Sequence, residues 1–252
     1  MREVHHNNAL DFLKNCPSGI YDTIYIDPPF NTGLTRKSAR GVGQYQDKFD
    51  DFCSWLYPFI EESKRVLKET GTIFLHLDQN EVFHAKVLIM DEIYGRHNFV
   101  NHIVWSYDYG GRGKNCWPSK HDDILMYCKN QDKRYFDWEA CERIPYMTPA
   151  LQKSEEKLEK GKVPTDVWWM SIVGTNSKER NGYPTQKPVN LIKRALEATT
   201  PKGGKVIDFF AGSGTLGEAA ELLNLEWTLV DQNIESISVI KERFSNLVVD
   251  YF

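Results

Sequence analysis

A glycine-rich turn between an apolar strand and a helix constrains the fold of this chain most. KVIDFF (205–210) is a short apolar run typical of a buried strand, and it leads directly into Ala-Gly-Ser-Gly at 211–214. A helix is predicted to follow over 215–223. Glycines at such a turn let the backbone approach a ligand closely, while the helix N-terminus offers unpaired N–H groups. The spacing Gly212-x-Gly214-x-x-Gly217 therefore fits a dinucleotide-binding turn.

Predicted strands alternate with predicted helices along most of the chain. Gly71 is expected to end the predicted helix 49–68. The glycine-bearing basic stretch 33–46 is expected to be a mobile loop. The strands are predicted at 22–26, 72–77, 100–105, 123–128, 205–210 and 226–230, and the helices at 80–94, 49–68, 189–199, 215–223 and 234–244. This alternation predicts an α/β fold with a doubly wound, mostly parallel sheet.

Composition narrows the class of protein. The chain has 252 residues, enough for one α/β domain with a modest insertion, and no apolar run approaches the ~20 residues of a membrane span. The beginning, MREVHHNNAL, lacks the apolar stretch of a signal peptide, so a cytoplasmic location is expected. The five cysteines are scattered without a CxxC pair, so neither disulfides nor a metal site is predicted.

A second motif, Asp27-Pro28-Pro29-Phe30, follows the predicted strand 22–26, where open α/β sheets hold their ligands. The exocyclic amino group of a base is a poor nucleophile because its lone pair is delocalised into the ring. Asp27 and the Pro28 carbonyl could accept its N–H bonds and free that lone pair. Phe30 could stack on a base that has left the double helix.

The order of the two motifs bears on the alternatives. In an ordinary dinucleotide-binding protein the glycine turn opens the sheet near its beginning, whereas here only residues 215–252 follow Gly214. A nicotinamide-dependent oxidoreductase is therefore disfavoured, although the glycine pattern keeps it open. A non-catalytic DNA-binding subunit of a modification complex is the third alternative.

With both motifs in hand, the chain resembles the β-class DNA amino-methyltransferases of restriction–modification systems, including type III modification subunits. In that group a D-P-P-[YF] motif precedes an F-x-G-x-G motif, as Asp27–Phe30 precedes Phe210–Gly214 here. The resemblance extends through LHLDQNEV (75–82), KHDDILMYCKN (120–130) and ERNGYPTQKPVNLIKRAL (179–196). It implies a methyltransferase sheet of the seven-stranded type, with a small insertion for DNA recognition.

The resemblance also implies roles for individual residues. Asp27, Pro28, Pro29 and Phe30 would hold and activate the target base. S-adenosylmethionine would be bound, without a metal, by a set of residues around the glycine turn. That set comprises Asp208, Phe210, Ala211, Gly212, Ser213, Gly214, Thr215 and Asp231, bordered by Thr185 and Lys187.

Double-stranded DNA is the expected partner, although the net charge is −4. Two basic stretches, 33–46 and 107–120, are predicted to contact phosphates through Arg36, Lys37, Arg40, Arg112, Lys114 and Lys120. Residues 1–128 would form the catalytic part, 129–182 the target-recognition insertion and 183–252 the cofactor part. An aspartate at the first motif position goes mostly with adenine in this family, so N6-adenine methylation is predicted, with N4-cytosine as the alternative. A homodimer or a second subunit could complete the enzyme.

Overall fold

The structure, a computed structural model, describes residues 1–37, 44–110 and 113–252; side chains of 34–37 and 44–46 are outside that description. The strands are β1 (Arg2–His6), β2 (Tyr21–Ile26), β3 (Leu34–Lys37), β4 (Gln44–Asp47), β5 (Leu67–Leu77), β6 (Phe99–Ser106), β7 (His121–Cys128), β8 (Val167–Trp169), β9 (Lys205–Asp208), β10 (Glu226–Asp231) and β11 (Asp250–Tyr251). The helices are α1 (Ala9–Asn15), α2 (Phe52–Val66), α3 (Val82–Ala85, continuing with π geometry over Lys86–Gly95), α4 (Glu155–Lys160), α5 (Val189–Thr199), α6 (Thr215–Leu222) and α7 (Ile234–Arg243).

Nine of the strands form one sheet in the order β11-β1-β10-β9-β2-β5-β7-β6-β8. All neighbours in it are parallel except the pairs β5–β7 and β6–β7. Because β8 and β11 are short edge strands of 3 and 2 residues, seven longer strands make up the body of the sheet. The predicted α/β fold with a doubly wound, mostly parallel sheet is confirmed.

The sheet is covered on both faces. Alternate residues of the central strands point to opposite sides, so Tyr25 and Phe74 enter one hydrophobic cluster while Ile24 and Ile73 enter the other. The first cluster includes buried residues of α5, α6 and α7, and the second those of α1, α2 and α3. The near-continuous burial of β2 and β5 is typical of parallel strands covered on both faces.

The direction of winding reverses between β9 and β2, which are neighbours in the sheet. From β9 the chain crosses through α6 to β10 on one side, while from β2 it crosses through α2 to β5 on the other. A crevice therefore opens at the carboxyl ends of β9 and β2, the place where open α/β sheets bind ligands. Both sequence motifs follow these two strands.

The stretch 33–46 differs from the prediction of a mobile loop. Its two ends pair as the antiparallel ladder β3–β4, with Leu34 opposite Asp47 and Lys37 opposite Gln44. Backbone pairing across a hairpin outweighs the weak strand propensity of this glycine-bearing sequence. Residues 38–43 lie outside the described part of the chain.

Gly71 does not end α2, contrary to the prediction. The helix ends at Val66, and Leu67 already has extended backbone angles and begins β5. Between Tyr21 and Thr23 the pairing with β5 shifts register, and Gly71 lies in the shifted segment. A Cβ atom at Gly71 would lie 2.7 Å from Leu67 Cδ1 and 2.9 Å from the Asp22 carbonyl oxygen. The glycine is therefore explained by close approach of two strands.

Two N-terminal elements were not predicted, β1 and α1. Strand β1 pairs with β10, and Val4 is the one apolar residue among its five, so its sequence carries no clear periodicity. Helix α1 is short, and the Asn8 side chain caps it by accepting from the N–H groups of Leu10 and Asp11. Within the described ranges, no helix has both the length and the apolar composition to cross a membrane.

Candidate active site

A cavity of about 360 Å³ lies at the carboxyl ends of β2, β9 and β10. It joins the two sequence motifs in one space. The predicted site residues on its wall are Asp27, Pro28, Pro29, Phe30, Thr185, Lys187, Asp208, Phe210, Ala211, Gly212, Ser213, Thr215 and Asp231. Gly214, which starts α6, is the one member of the predicted base- and cofactor-binding set that does not line it.

The glycine turn is shaped by close packing. Gly212 and Gly214 have φ angles of +49° and +75°, a region that side chains disfavour. A Cβ on Gly214 would lie 2.9 Å from Ile240 Cγ1, and one on Gly217 would lie 2.8 Å from Phe244 Cζ. The turn therefore presses against α7 on one side while its other side faces the cavity.

Asp231, at the end of β10, holds this turn in place. Its Oδ2 accepts from the N–H of Gly212 at 2.8 Å, and its Oδ1 accepts from the N–H of Asn233 at 2.8 Å. The Ser236 hydroxyl donates to the Gly212 carbonyl at 2.6 Å. Burial raises the pKa of Asp231, while the two backbone N–H bonds oppose that rise. The carboxyl group keeps further lone pairs that could accept from a ligand hydroxyl.

Asp208 lies at the end of β9, beneath the turn. Its Oδ1 accepts from the N–H of Phe210 at 2.9 Å, which ends the strand two residues before its predicted end. Complete burial raises the pKa of Asp208 well above its usual value, and the negative charges of Asp27 and Asp231 raise it further. Asp208 is therefore a buried structural acid of the cavity floor.

The Asp27-Pro28-Pro29-Phe30 segment leaves β2 at the opposite side of the cavity. Both carboxylate oxygens of Asp27 accept from Lys187 Nζ, each at 2.7 Å. The same ammonium lies 4.6 Å from the centroid of the Phe30 ring, in cation–π contact. Lys187 was predicted to border the cofactor. In the structure its ammonium group contacts Asp27 and Phe30 of the other motif.

The segment after Phe30 is fixed by hydrogen bonds that the sequence did not reveal. Asn31 has a φ angle of +58°, and its N–H donates to Asp47 Oδ1 at 2.7 Å. Its side chain donates to Glu81 Oε1 at 2.7 Å and accepts from the N–H of Phe49 at 2.8 Å. Asn31 therefore ties the motif to the end of β4 and to the start of α3.

An aromatic wall closes the cavity, and sequence reasoning did not find it either. The Phe49 and Trp55 ring centroids are 4.3 Å apart, and the Phe210 centroid lies 5.3 Å from Phe59 and 5.8 Å from Trp55. The rings come from β4–α2 and from the glycine turn, which are distant in sequence. Such a wall suits the flat apolar face of an adenine ring.

A buried polar chain lies behind Phe30. The Tyr25 hydroxyl is 2.9 Å from His76 Nδ1, and His76 Nε2 is 3.2 Å from Asp122 Oδ2. The Tyr107 hydroxyl donates to the other oxygen of Asp122 at 3.0 Å. The His76 ring, which is fully buried, packs 5.8 Å from the Phe30 ring and so supports its back.

The predicted DNA-contacting residues are only partly described. Arg40 and Arg112 lie outside the described residues, as do the side chains of Arg36 and Lys37. Lys114 is exposed in the β6–β7 connection. Lys120 donates to the Gly110 carbonyl at 2.7 Å, so it closes the base of its own loop and has two protons left for a phosphate.

Trp168 in β8 is buried in the core beneath α5. Trp169, its neighbour in β8, is 71% exposed, because successive residues of a strand face opposite sides. Among the described residues there is no group of three or more His, Cys, Asp or Glu side chains placed to hold a metal ion.

Comparison with known proteins decides the family. The DNA methylase profile N6_N4_Mtase matches residues 21–242. The chain belongs to this family of DNA methylases. It is 32% identical over 242 residues to the type II methyltransferase M.HpaI of Haemophilus parainfluenzae, covering 95% of this chain and 73% of that one. It is 31% identical over 245 residues to the DNA adenine methyltransferase YhdJ of Escherichia coli K12, covering 94% and 81%.

Solved structures agree on the fold. The M1.HpyAVI–SAM complex superposes with a TM-score of 0.65 at 19% identity, covering 98% of this chain and all of that one. The PvuII DNA methyltransferase, which is cytosine-N4-specific, gives a TM-score of 0.68 at 15% identity, covering 99% and 95%. The predicted relation to the β-class amino-methyltransferases is confirmed, and the protein is a DNA methyltransferase. The oxidoreductase alternative is set aside.

Proposed function

We propose that this protein transfers the methyl group of S-adenosylmethionine to the N6 amino group of adenine in double-stranded DNA. The observation that carries the proposal is that Asp27 and the glycine turn line one cavity. An acceptor for an amino group and a floor for a nucleoside ligand are therefore in reach of each other. The relative named a DNA adenine methyltransferase, at 31% identity, supports adenine.

The cavity fits the cofactor in shape and in chemistry. At Gly212, an added Cβ would lie 3.1 Å from the Tyr183 ring, so the glycine lets this ring of the cavity wall pack closely against the turn. The aromatic wall could pack on the adenine ring, and Asp231 could accept from a ribose hydroxyl. We expect the predicted set around the turn, from Asp208 to Thr215, to hold the methionine side. When bound, S-adenosylmethionine supplies an electrophilic methyl group on a sulfonium.

The protein's own residues prepare the amino group. Its N–H bonds would go to the Asp27 carboxylate and to the Pro28 carbonyl, which draws the nitrogen towards tetrahedral geometry and frees its lone pair. Phe30, supported from behind by His76, would stack on the extruded base. The freed lone pair of the nitrogen would take the methyl group, with the electron pair of the S–C bond left on sulfur. The nitrogen would then lose a proton to Asp27 or to water.

Two further predictions belong with this function. Residues 129–182 contain α4 and β8 among irregular segments, and we propose that they carry the recognition of the DNA sequence. The DNA backbone would lie along the β3–β4 ladder and the 107–120 connection. A homodimer or a second subunit stays a prediction.

The test is methyl transfer from labelled S-adenosylmethionine to unmethylated DNA, followed by digestion to nucleosides and mass spectrometry. N6-methyl-2′-deoxyadenosine in the digest is the expected product. N4-methylcytosine would keep the amino-group chemistry and overturn the assignment to adenine. Absence of both, with cofactor binding confirmed by a shift in melting temperature, would overturn the proposed function.

A further inference from the structure

Lys187 makes the most unusual contact in the cavity. It lies just before α5, yet its ammonium reaches Asp27, 160 residues earlier in the chain, and bonds to both carboxylate oxygens at 2.7 Å. The lysine side chain is only 10% exposed. The Thr215 hydroxyl donates to the Lys187 carbonyl at 3.3 Å, which fixes its backbone against α6. A surface lysine would have none of these constraints.

The cavity is rich in carboxyl groups. Among the described residues of its wall, Lys187 carries the one ammonium or guanidinium group, whereas four aspartates contribute carboxyl groups. These are Asp27, Asp47, Asp208 and Asp231. Like charges at short range favour the protonated form of a carboxyl group, and a buried cation opposes this. Both effects act on Asp208, because the charge of Asp27 raises its pKa and the charge of Lys187 lowers it.

Other charged and titratable groups around Asp27 come from every neighbouring element. They are Tyr25 on β2, His76 on β5, Asp122 on β7, Asp208 on β9 and Asp231 on β10. Burial raises the pKa of Tyr25 well above its usual value, and the charge of Asp27 adds to the rise. Burial also works to raise the pKa of Asp122, but the His76 hydrogen bond and the charge of Lys187 outweigh it, and the pKa is lowered. Lys187 is thus the cation shared by this group of acids.

An amino group can be activated only by an acceptor. An ionised carboxylate accepts with both oxygens, whereas a protonated carboxyl group turns one oxygen into a donor that the amino group cannot use. Without Lys187, the Asp27 carboxylate would lose the donor that holds both of its oxygens, and its side chain would be free to turn away from the target base. The lysine also lies over the Phe30 ring, the surface on which the target base would stack.

We propose that Lys187 is a positioning residue for the methyl-transfer reaction, which holds the Asp27 carboxylate in the orientation of an acceptor for the target amino group. The inference rests on the proposed function, and it assigns Lys187 to the target-base side of the cavity. In the DNA-free protein its ammonium holds the acceptor oxygens. An arriving base takes over one of these bonds, and the lysine keeps the other.

The experiment compares Lys187→Met with Lys187→Arg, since methionine keeps the length of the chain without its charge and arginine keeps the charge. The maximal rate of methyl transfer at saturating DNA and cofactor is measured, together with the affinity for S-adenosylhomocysteine. In Lys187→Met the maximal rate is expected to fall at least tenfold, while the affinity for S-adenosylhomocysteine stays close to that of the wild type. Lys187→Arg is expected to restore most of the wild-type rate. An unchanged rate in Lys187→Met, or a loss of cofactor affinity as large as the loss of rate, would overturn the proposal.

A second measurement needs neither cofactor nor DNA. Proteins labelled with ¹³C at aspartate carboxyl groups are compared by NMR at one pH, and Asp27→Asn identifies the Asp27 signal. The Asp27 carboxyl signal is expected to move in Lys187→Met, which lacks the ammonium that contacts both oxygens, and to stay close to the wild type in Lys187→Arg. An equal chemical shift in the wild type and both variants would overturn the proposal. This comparison stands even if the wild-type protein methylates no base, an outcome that would count against the proposed function alone.

Discussion

Gly214 provides a quantitative test of how the cofactor turn is built. The change Gly214→Ala puts a Cβ on a residue with a φ angle of +75° and 2.9 Å from the buried side chain of Ile240. A left-handed alanine costs roughly 1–2 kcal/mol, and an added methyl in a packed interior typically costs about 1–3 kcal/mol. The expected loss in the free energy of unfolding is therefore about 2–5 kcal/mol.

Two other glycines separate these contributions. Gly203 has a φ angle of +69° with no atom within 4 Å of its added Cβ, so Gly203→Ala should lose only the roughly 1–2 kcal/mol of backbone strain. Gly217 lies inside α6 without a positive φ, but its Cβ would lie 2.8 Å from Phe244 Cζ. Gly217→Ala should lose the packing contribution, reduced by the roughly 1 kcal/mol that alanine gains in a helix.

The assay is urea unfolding of the wild type and the three variants, together with binding of S-adenosylhomocysteine by calorimetry. We expect Gly214→Ala to be the least stable and to bind the ligand at least tenfold more weakly, while Gly203→Ala binds it normally. If Gly214→Ala were no less stable than Gly203→Ala, the close packing of the turn against α7 would be the wrong explanation of this glycine.

Three further predictions concern the acids of the cavity and the connection 107–120, which is predicted to contact DNA. Because burial raises the pKa of Asp208 well above its unfolded value, rising pH between those two values lowers the free energy of unfolding by about 1.4 kcal/mol per pH unit. Asp208→Asn should therefore be more stable than the wild type at neutral pH, and this gain should be lost in acid. A pH series of urea midpoints without such a trend would contradict this. Asp231→Ala leaves the N–H groups of Gly212 and Asn233 without their acceptor, so it should weaken binding of S-adenosylhomocysteine at least tenfold. Equal affinity by calorimetry would exclude Asp231 from the ligand site. Trp117 is 96% exposed in the same connection as Lys114. Trp117→Ala should leave the melting temperature unchanged but weaken DNA binding by about 1–3 kcal/mol in a fluorescence anisotropy titration. Unchanged affinity would remove this loop from the DNA interface.

The elements that bear local signals were predictable from sequence. The strand, glycine turn and helix over 205–222 carry an apolar run, positive-φ residues and helical periodicity, all of which depend on neighbouring residues. The ends of α2 were less accurate, since the Asp51 cap and the irregular start of β5 depend on backbone bonds that periodicity does not report. The β3–β4 ladder was missed because a hairpin is stabilised by pairing rather than by propensity.

The site itself was predicted as two motifs, without the contacts between them. The Lys187–Asp27 bond joins residues that only the parallel order of β9 and β2 brings together. The hydrogen bonds of Asn31 and the chain from Tyr25 to Tyr107 depend on buried polar partners distant in sequence. The aromatic wall draws on several elements in the same way. These are tertiary features, and no local pattern of residue types encodes them.

The most direct test of the account is nucleoside mass spectrometry of DNA treated with the wild type, with Asp27→Ala and with Asp132→Ala, which alters an exposed turn aspartate instead. Binding of S-adenosylhomocysteine is measured on the same three preparations. N6-methyl-2′-deoxyadenosine is expected from the wild type and from Asp132→Ala. In Asp27→Ala a loss of at least a thousandfold is expected, with ligand binding retained, which corresponds to about 4 kcal/mol of activation free energy. Undiminished methylation by Asp27→Ala would contradict the central claim that this carboxylate receives the target amino group.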